Sequence, residues 1–188
     1  WVLHEACRQI KLWSTAGLAP RQTAVNVSAV QLSRGNLVES VRHALELSGI
    51  DPEQLELEIT ESFVMADRDQ SFKSLAEIKA LGVRLSIDDF GTGYSSLAYL
   101  QQLEVHKLKV DMSFVRDMLT NSGNASIVKA VIALGHSLGL EIIAEGVEQE
   151  EQVVHLRALQ CDVIQGYLIS RPLPTDEMTR FLEAFRLS

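Results

Sequence analysis

The stretch LSIDDFGTGYSS, residues 85–96, indicates the fold and the chemistry around which this chain is organised. It predicts a buried strand, Val83 to Ile87, that delivers Asp88 and Asp89 and then breaks into a loop, where two glycines permit backbone angles that other residues avoid. Adjacent carboxylates at a strand end repel each other and are costly to desolvate, so a hard divalent cation beside them is favoured. A solvated Asp-Asp turn is the alternative interpretation.

Strand patterns and helix patterns alternate along the chain, which predicts a parallel sheet, either open and doubly wound or closed into a barrel. The predicted strands are Thr23–Ser28, Leu55–Glu61, Val83–Ile87, Val105–Val110, Glu141–Ala144 and Val163–Gln165. The predicted helices are Trp1–Ala16, Leu37–Ser48, Asp69–Leu81, Leu97–Leu103, a helix capped by Asn124 and running to Leu138, Glu151–Leu159, and one capped by Thr175 and running through Phe185.

The ends of the strands favour the barrel. An open dinucleotide-binding sheet calls for a Gly-x-Gly-x-x-Gly loop, which this sequence lacks. A (β/α)8 barrel instead builds its active site from the carboxyl ends of several strands. Each predicted strand here ends in a polar group: Asn26, Glu58, Asp88 with Asp89, Lys109, Glu145 and Gln165. We therefore predict an α/β fold of the (β/α)8 TIM-like type.

Composition limits the function classes. The chain has 188 residues, 46% of them hydrophobic, and a formal charge of −8, which is ordinary for one soluble domain and argues against binding nucleic acid or a membrane surface. Cys7 and Cys161 are too few and too far apart for a disulfide framework, so we expect a reducing, cytoplasmic location. No leader or spanning segment is predicted, because Lys129, His136 and Glu141 interrupt the most apolar region.

The strand ends supply oxygen ligands, which select Mg²⁺ or Mn²⁺ over zinc or copper. Asp88 and Asp89 could bridge two ions, an arrangement used for in-line attack of water on a phosphodiester. Lys109 could orient or deprotonate that water or stabilise phosphoryl charge. Taken alone, it is more typical of an ordinary surface lysine, because Lys107 and Lys109 alternate as on a half-exposed strand. The histidines show no paired ligand spacing: His4, His43, His106, His136 and His155.

Six segments in this order resemble the EAL domain, the bacterial cyclic di-GMP phosphodiesterase family. They are NVSAVQL, LELEITES, SIDDFGTGYSSLAYL, LKVDMSFV, IIAEGVE and QGYLISRPLP. The resemblance implies a (β/α)8 barrel that binds two Mg²⁺ or Mn²⁺ ions and hydrolyses cyclic di-GMP to linear pGpG. It also implies a homodimer contact through the Phe90–Ser96 loop region, and sensory or GGDEF domains elsewhere in a full-length protein that can be attached to the membrane.

The resemblance assigns roles residue by residue. The implied metal ligands are Asn26, Glu58, Asp88, Asp89 and Glu145. The implied catalytic residues are Lys109, Glu145 and Gln165, and the implied substrate-binding residues are Ser28, Gln31 and Gln165. Glu61 and Glu148 are implied to stabilise the loop after the double aspartate.

The family's Glu-Ala-Leu signature and its first two strands are absent from the 188 residues. About six of eight strand–helix units are therefore expected, and residues 1–188 are expected to form one EAL-like domain that is incomplete at its N terminus and has doubtful activity alone. Either an upstream segment or another chain would complete it. Two alternatives are a catalytically inactive EAL-like domain that binds cyclic di-GMP or a protein, and a Mg²⁺-dependent barrel enzyme with a Schiff base on Lys109.

A deeper charged layer is also predicted. Glu56 and Lys107 each lie two residues before a site residue and share its face of the strand, so both should point inward. Because an unpaired buried charge costs several kcal/mol, we expect each to pair with the other or with another charged group.

Overall fold

The computed structural model describes residues 1–18, 20–28, 36–60, 68–92 and 97–186. Within these ranges the strands are β1 Thr23–Val27, β2 Leu55–Thr60, β3 Arg84–Phe90, β4 Lys107–Val110, β5 Glu141–Ala144 and β6 Val163–Ile164. The helices are α1 Val2–Thr15, α2 Leu37–Ser48, α3 Arg68–Ala80, α4 Leu97–Gln102, α5 Met112–Asp117, α6 Ser122–Ser137, α7 Glu150–Ala158 and α8 Thr175–Arg186. No helix in these ranges combines the length and the apolarity needed to cross a bilayer.

All six predicted strands are present, but two local predictions were wrong and one short helix was missed. Strand β3 does not stop at Ile87 and continues through both aspartates to Phe90. Helix α6 is capped by Asn121 rather than Asn124, because the Asn121 side chain accepts hydrogen bonds from the N–H groups of Gly123 and Asn124 at 2.9 and 3.3 Å. The short helix α5 was not predicted; Asp111 caps it by accepting from the Ser113 N–H at 2.9 Å.

The strands follow one another in the sheet in the order β1 to β6. The pairings from β3 through β6 are parallel, and β4 lies in direct register with β5, Lys107 opposite Glu141 and Lys109 opposite Ile143. Because side chains alternate along a strand, Lys107 and Lys109 share one face of β4, while Leu108 lies on the opposite face. Parallel strands covered on both faces are buried throughout, which is why Leu108 is fully enclosed.

The chain divides into two compact units. The first contains the described residues of 1–58, 67–85 and 172–188, and the second those of 59–66 and 86–171. In the first unit, α1 buries Leu3, Cys7, Ile10 and Trp13, a helical stripe of apolar side chains. The Trp13 Nε1–H donates to Thr179 Oγ1 at 2.9 Å, so the buried indole keeps a polar partner and holds α8 against α1.

In the second unit, α6 approaches the sheet closely at Gly135. A Cβ atom at this position would lie 2.0 Å from Ile142 Cδ1 on β5 and 3.5 Å from Leu108 Cδ2 on β4. A glycine in a helix interior is unfavourable by roughly 1 kcal/mol relative to alanine. Here it allows the helix to lie directly on β4 and β5, the strands that deliver Lys109 and Glu145.

Gln152 joins two helices of the second unit through polar contacts in a buried position. It is 1% exposed. Its Oε1 accepts from the N–H groups of Glu148 and Gln149 at 2.7 and 2.9 Å, at the start of α7. Its Nε2 donates to the carbonyl oxygens of Val115 and Arg116 at 3.1 and 3.3 Å, at the end of α5. The amide therefore satisfies the open termini of both helices.

We predict that Gln152→Ala lowers the free energy of unfolding by about 1–3 kcal/mol, because the buried carbonyl group of Val115 and three partly buried main-chain groups lose their partner. Urea unfolding followed by circular dichroism measures this change. The control is Glu151→Ala, an exposed neighbour in the same helical turn, which should change it by less than about 0.5 kcal/mol. Equal effects of the two substitutions would show that the Gln152 contacts contribute no net stability.

Candidate active site

The two aspartates of β3 lie at a β-bulge. Ile87 pairs with Leu108 on β4, and the next pair is Phe90 with Val110, so β3 advances three residues where β4 advances two. Asp89 has a positive φ of 55°. In a regular strand, adjacent side chains point to opposite faces, whereas the extra residue of a bulge re-aims one of them. As a result, carboxylate oxygens of Asp88, Asp89 and Glu145 lie within 4.8 Å of one another.

Local hydrogen bonds hold this bulge. The Asp89 N–H donates to Asp88 Oδ1 at 3.0 Å, so the first carboxylate fixes the main chain of the second. The Thr92 hydroxyl donates to the Asp89 carbonyl oxygen at 2.9 Å and closes the turn that follows. A positive φ is uncommon outside glycine, although aspartate tolerates it better than most residues. The sequence prediction assigned the unusual backbone angles to glycines, and Gly91 does have a positive φ of 99°. The positive φ of Asp89 was not predicted.

Lys109 lies at the centre of the cluster. Its Nζ is 3.2 Å from Asp88 Oδ1 and 2.6 Å from Glu145 Oε1, and the residue is 2% exposed. Burial of an ammonium group is costly unless oppositely charged groups pair with it, and here two carboxylates do so. The alternative that Lys109 is a surface lysine is therefore wrong. Asp88 is 9% exposed and both aspartates belong to β3, which argues against a turn, although Asp89 itself is exposed to solvent.

Glu145 reaches the cluster because it directly follows β5. Its N–H donates to the Val110 carbonyl oxygen at 3.2 Å, which continues the β4–β5 pairing by one residue. The Glu145 carboxylate thus comes from the strand beside Lys109, and the Asp88 carboxylate from the strand on the other side. Three neighbouring strands deliver one lysine and three acids to one place.

The electrostatics of the cluster disfavour a further negative charge. Burial raises the pKa of Asp89, and the nearby carboxylates of Asp88 and Asp111 raise it further, while Lys109 acts in the opposite direction. Asp111 was not predicted as part of the site. The sequence feature that marks this residue is Asp-x-Ser directly after a strand, a pattern typical of a helix N-cap. The cluster holds more negative than positive charge, and its oxygen donors suit a hard divalent cation.

The other predicted site residues lie in or just after strands, but they are not shown to join this cluster. Asn26 and Ser28 are exposed in and after β1, Glu58 is buried in β2, Gln165 is exposed directly after β6, and Glu148 is exposed in the loop after β5. Gln31 and Glu61 lie outside the described residues, as does part of the Phe90–Ser96 loop. The roles assigned to all of them remain predictions.

The expected deeper charged layer is present at Lys107. Its Nζ lies 3.4 Å from Glu141 Oε2, and its side chain is only 12% exposed. Glu141 lies directly opposite Lys107 in the register of β4 and β5. The prediction that Lys107 pairs with a charged group is confirmed. Glu56 is buried on β2, as expected.

Comparisons with known proteins identify one matching domain family. The model of the EAL domain matches residues 1–172. The chain is 48% identical over 178 residues to the bifunctional diguanylate cyclase/cyclic di-GMP phosphodiesterase MucR of Pseudomonas aeruginosa, covering 95% of this chain and 26% of MucR. The chain spans about a quarter of the length of the curated relatives that it matches first.

Solved structures give the same result. The phosphodiesterase PaMucR, in complex with c-di-GMP, has a TM-score of 0.91 at 48% identity, covering 95% of this chain and 72% of that one. The EAL domain of Mycobacterium smegmatis DcpA has a TM-score of 0.92 at 40% identity, covering 98% of this chain and 83% of the DcpA chain. Klebsiella pneumoniae BlrP1, with manganese and cyclic di-GMP, has a TM-score of 0.81 at 33% identity, covering 92% of this chain and 44% of the BlrP1 chain.

The family model covers most of the chain, and the DcpA domain matches over most of its own length. The prediction of a TIM-like α/β fold of the EAL type is confirmed, and six of its strands lie in the described residues. The chain belongs to the EAL domain family.

Proposed function

We propose that this domain hydrolyses cyclic di-GMP to linear pGpG. The observation that carries the proposal is the buried Lys109, held between Asp88 and Glu145 with Asp89 beside them. A buried cation paired with carboxylates contributes little net stability to a fold, so this arrangement favours a functional site. The relative MucR is a cyclic di-GMP phosphodiesterase as well as a diguanylate cyclase, and PaMucR binds c-di-GMP, which supports this substrate.

The proposed cofactor is a pair of Mg²⁺ or Mn²⁺ ions. Asp88, Asp89 and Glu145 would hold them, with Asn26 and Glu58 as the further ligands that the family resemblance implies. When bound, such ions lower the pKa of water and neutralise charge on phosphoryl oxygens. The manganese in the BlrP1 complex supports this choice of metal.

In the proposed reaction, a water oxygen attacks one phosphorus atom of the cyclic dinucleotide. The P–O3′ bond of that same phosphorus atom, on the side away from the attacking oxygen, breaks. The product has a 5′-phosphate and a 3′-hydroxyl, which takes up one proton as the attacking water loses one. Lys109 already donates to two carboxylates, so we assign it the stabilisation of phosphoryl charge rather than deprotonation of the water. Gln165, exposed at the end of β6, would contact the water or the phosphate.

Several further roles belong to the same proposal. Ser28, Gln31 and Gln165 would bind substrate, and Glu61 and Glu148 would support the loop after Asp89. We also propose a homodimer contact through the Phe90–Ser96 region, and sensory or GGDEF domains in a longer protein, which the greater length of the relatives supports. Both cysteines are free thiols, which supports a cytoplasmic location for the domain.

The direct test is incubation with cyclic di-GMP and Mn²⁺ or Mg²⁺, with pGpG measured by chromatography. It should use both the 188-residue chain and the chain preceded by the corresponding upstream segment of MucR. We predict turnover in the extended form, and a fall in kcat of about 10²–10³-fold for Lys109→Met, because charge stabilisation in a buried site is lost. Lys129→Met, an exposed lysine on α6, should leave kcat within about twofold. Binding of cyclic di-GMP without pGpG in both forms would favour the non-catalytic sensor.

A second prediction concerns Asp89 without metal. Its raised pKa means that the folded state holds this proton more tightly than the unfolded state, so stability falls as pH rises from about 4 through the raised pKa. With a chelator present, Asp89→Asn should therefore raise the thermal midpoint at pH 7 by a small amount, because solvent screens the charge of this exposed residue, and this gain should vanish below about pH 4.

Saturating Mn²⁺ should reverse the order of the two proteins, because the variant loses a metal ligand while the parent gains stability from binding. Differential scanning calorimetry across this pH range provides the measurement. Glu77→Gln, at an exposed position on α3, is the control and should leave the pH profile unchanged. A variant less stable than the parent at pH 7 with chelator would contradict the repulsion argument.

A further inference from the structure

Gly146, the residue after Glu145, lies where no side chain fits. Its φ is +70°, and a Cβ atom there would be 2.6 Å from Met112 Cβ and 3.3 Å from Met112 Cα. Both contacts are to the main chain or to the first side-chain atom of Met112, so a rotamer change cannot relieve them. An alanine would have to move either Met112 or the segment that carries Glu145.

Met112 is fixed at the start of α5. The preceding residue, Asp111, caps the helix, accepting from the Ser113 N–H through its carboxylate and from the Phe114 N–H through its carbonyl oxygen, at 2.9 and 3.1 Å. Asp111 also lies close enough to Asp89 to raise its pKa. Displacement of Met112 would therefore disturb both the cap and the environment of Asp89.

The main chain around Gly146 is fixed as well. The Glu145 N–H donates to the Val110 carbonyl oxygen at 3.2 Å, and the Val147 N–H donates to the Gln165 carbonyl oxygen at 3.0 Å. Gly146 thus lies between two hydrogen bonds that tie the exit of β5 to the last residue of β4 and to the residue after β6. A shift at Gly146 passes directly to the Glu145 carboxylate, whose Oε1 is 2.6 Å from Lys109 Nζ.

We propose that Gly146 is a positioning residue: its missing side chain lets the exit of β5 approach the start of α5, and this approach holds the Glu145 carboxylate against Lys109 and beside Asp88. The part of the proposal that concerns metal affinity rests on the proposed function. The placement of Glu145 against Lys109 does not.

The test is Gly146→Ala with Gly139→Ala as its matched control. Gly139 has nearly the same φ, +73°, but a Cβ atom there would meet nothing within 4 Å. Both substitutions place an alanine at nearly the same positive φ, and only the first introduces the overlap with Met112. In metal-free protein we expect Gly146→Ala to lower the thermal midpoint clearly more than Gly139→Ala. Mn²⁺ affinity, measured by electron paramagnetic resonance, should fall about tenfold or more for Gly146→Ala only, as for residues that orient metal ligands.

A double-mutant cycle with Met112→Gly tests the contact itself. In the double variant, removal of the Met112 side chain should restore most of the Mn²⁺ affinity that Gly146→Ala loses and should reverse most of its extra decrease in thermal midpoint. Met112→Gly alone should change Mn²⁺ affinity by less than about threefold. Equal losses for the two glycine variants, or no coupling to Met112, would overturn the proposal. If the parent protein binds no Mn²⁺, the proposed metal site is wrong, and a crystal structure of Gly146→Ala then tests whether Gly146 positions the Glu145 carboxylate. The contact between Lys109 and Glu145 should be broken in that structure. Its retention would overturn the proposal.

Discussion

The contact between the Lys109 ammonium group and the carboxylates of Asp88 and Glu145 is the interaction on which the site depends. Lys109 lies on the middle one of three neighbouring strands, and its two partners come from the strands on either side. Because the lysine is almost fully buried, loss of either carboxylate would leave its charge poorly compensated. The electrostatic requirement of one side chain thus fixes the relative positions of three strand ends.

The one-residue bulge in β3 brings two consecutive aspartates to one site, which a regular strand cannot do. Two consecutive aspartates on an ordinary strand would face opposite sides of the sheet. The bulge brings both to the Glu145 carboxylate, and it places Asp89 in a left-handed backbone conformation beside like charges. This local arrangement is unfavourable in the metal-free chain, as the raised pKa of Asp89 indicates. A cation is expected to bind where neighbouring carboxylates repel one another in this way.

Much of the fold could be predicted from the sequence, because strand alternation and helix periodicity are local signals. The six strands and the polar group at the end of each followed from them. The burial of Lys109 could not be predicted, because Lys107 and Lys109 alternate identically whether the strand faces solvent or a closed interior. The bulge also escaped prediction, since it exists only through the pairing of Phe90 with Val110, twenty residues later. Asp111 was missed because its helix-capping role conceals its proximity to Asp89.

The central claim is that the bulge presents Asp88 and Asp89 together to divalent metal. Anomalous diffraction at the manganese edge, from crystals of this chain grown with Mn²⁺, tests it most directly. The account predicts two anomalous peaks about 3.5–4 Å apart, in contact with the carboxylate oxygens of Asp88, Asp89 and Glu145. Peaks located away from all three carboxylates, or Asp89 turned away from a bound ion, would contradict it.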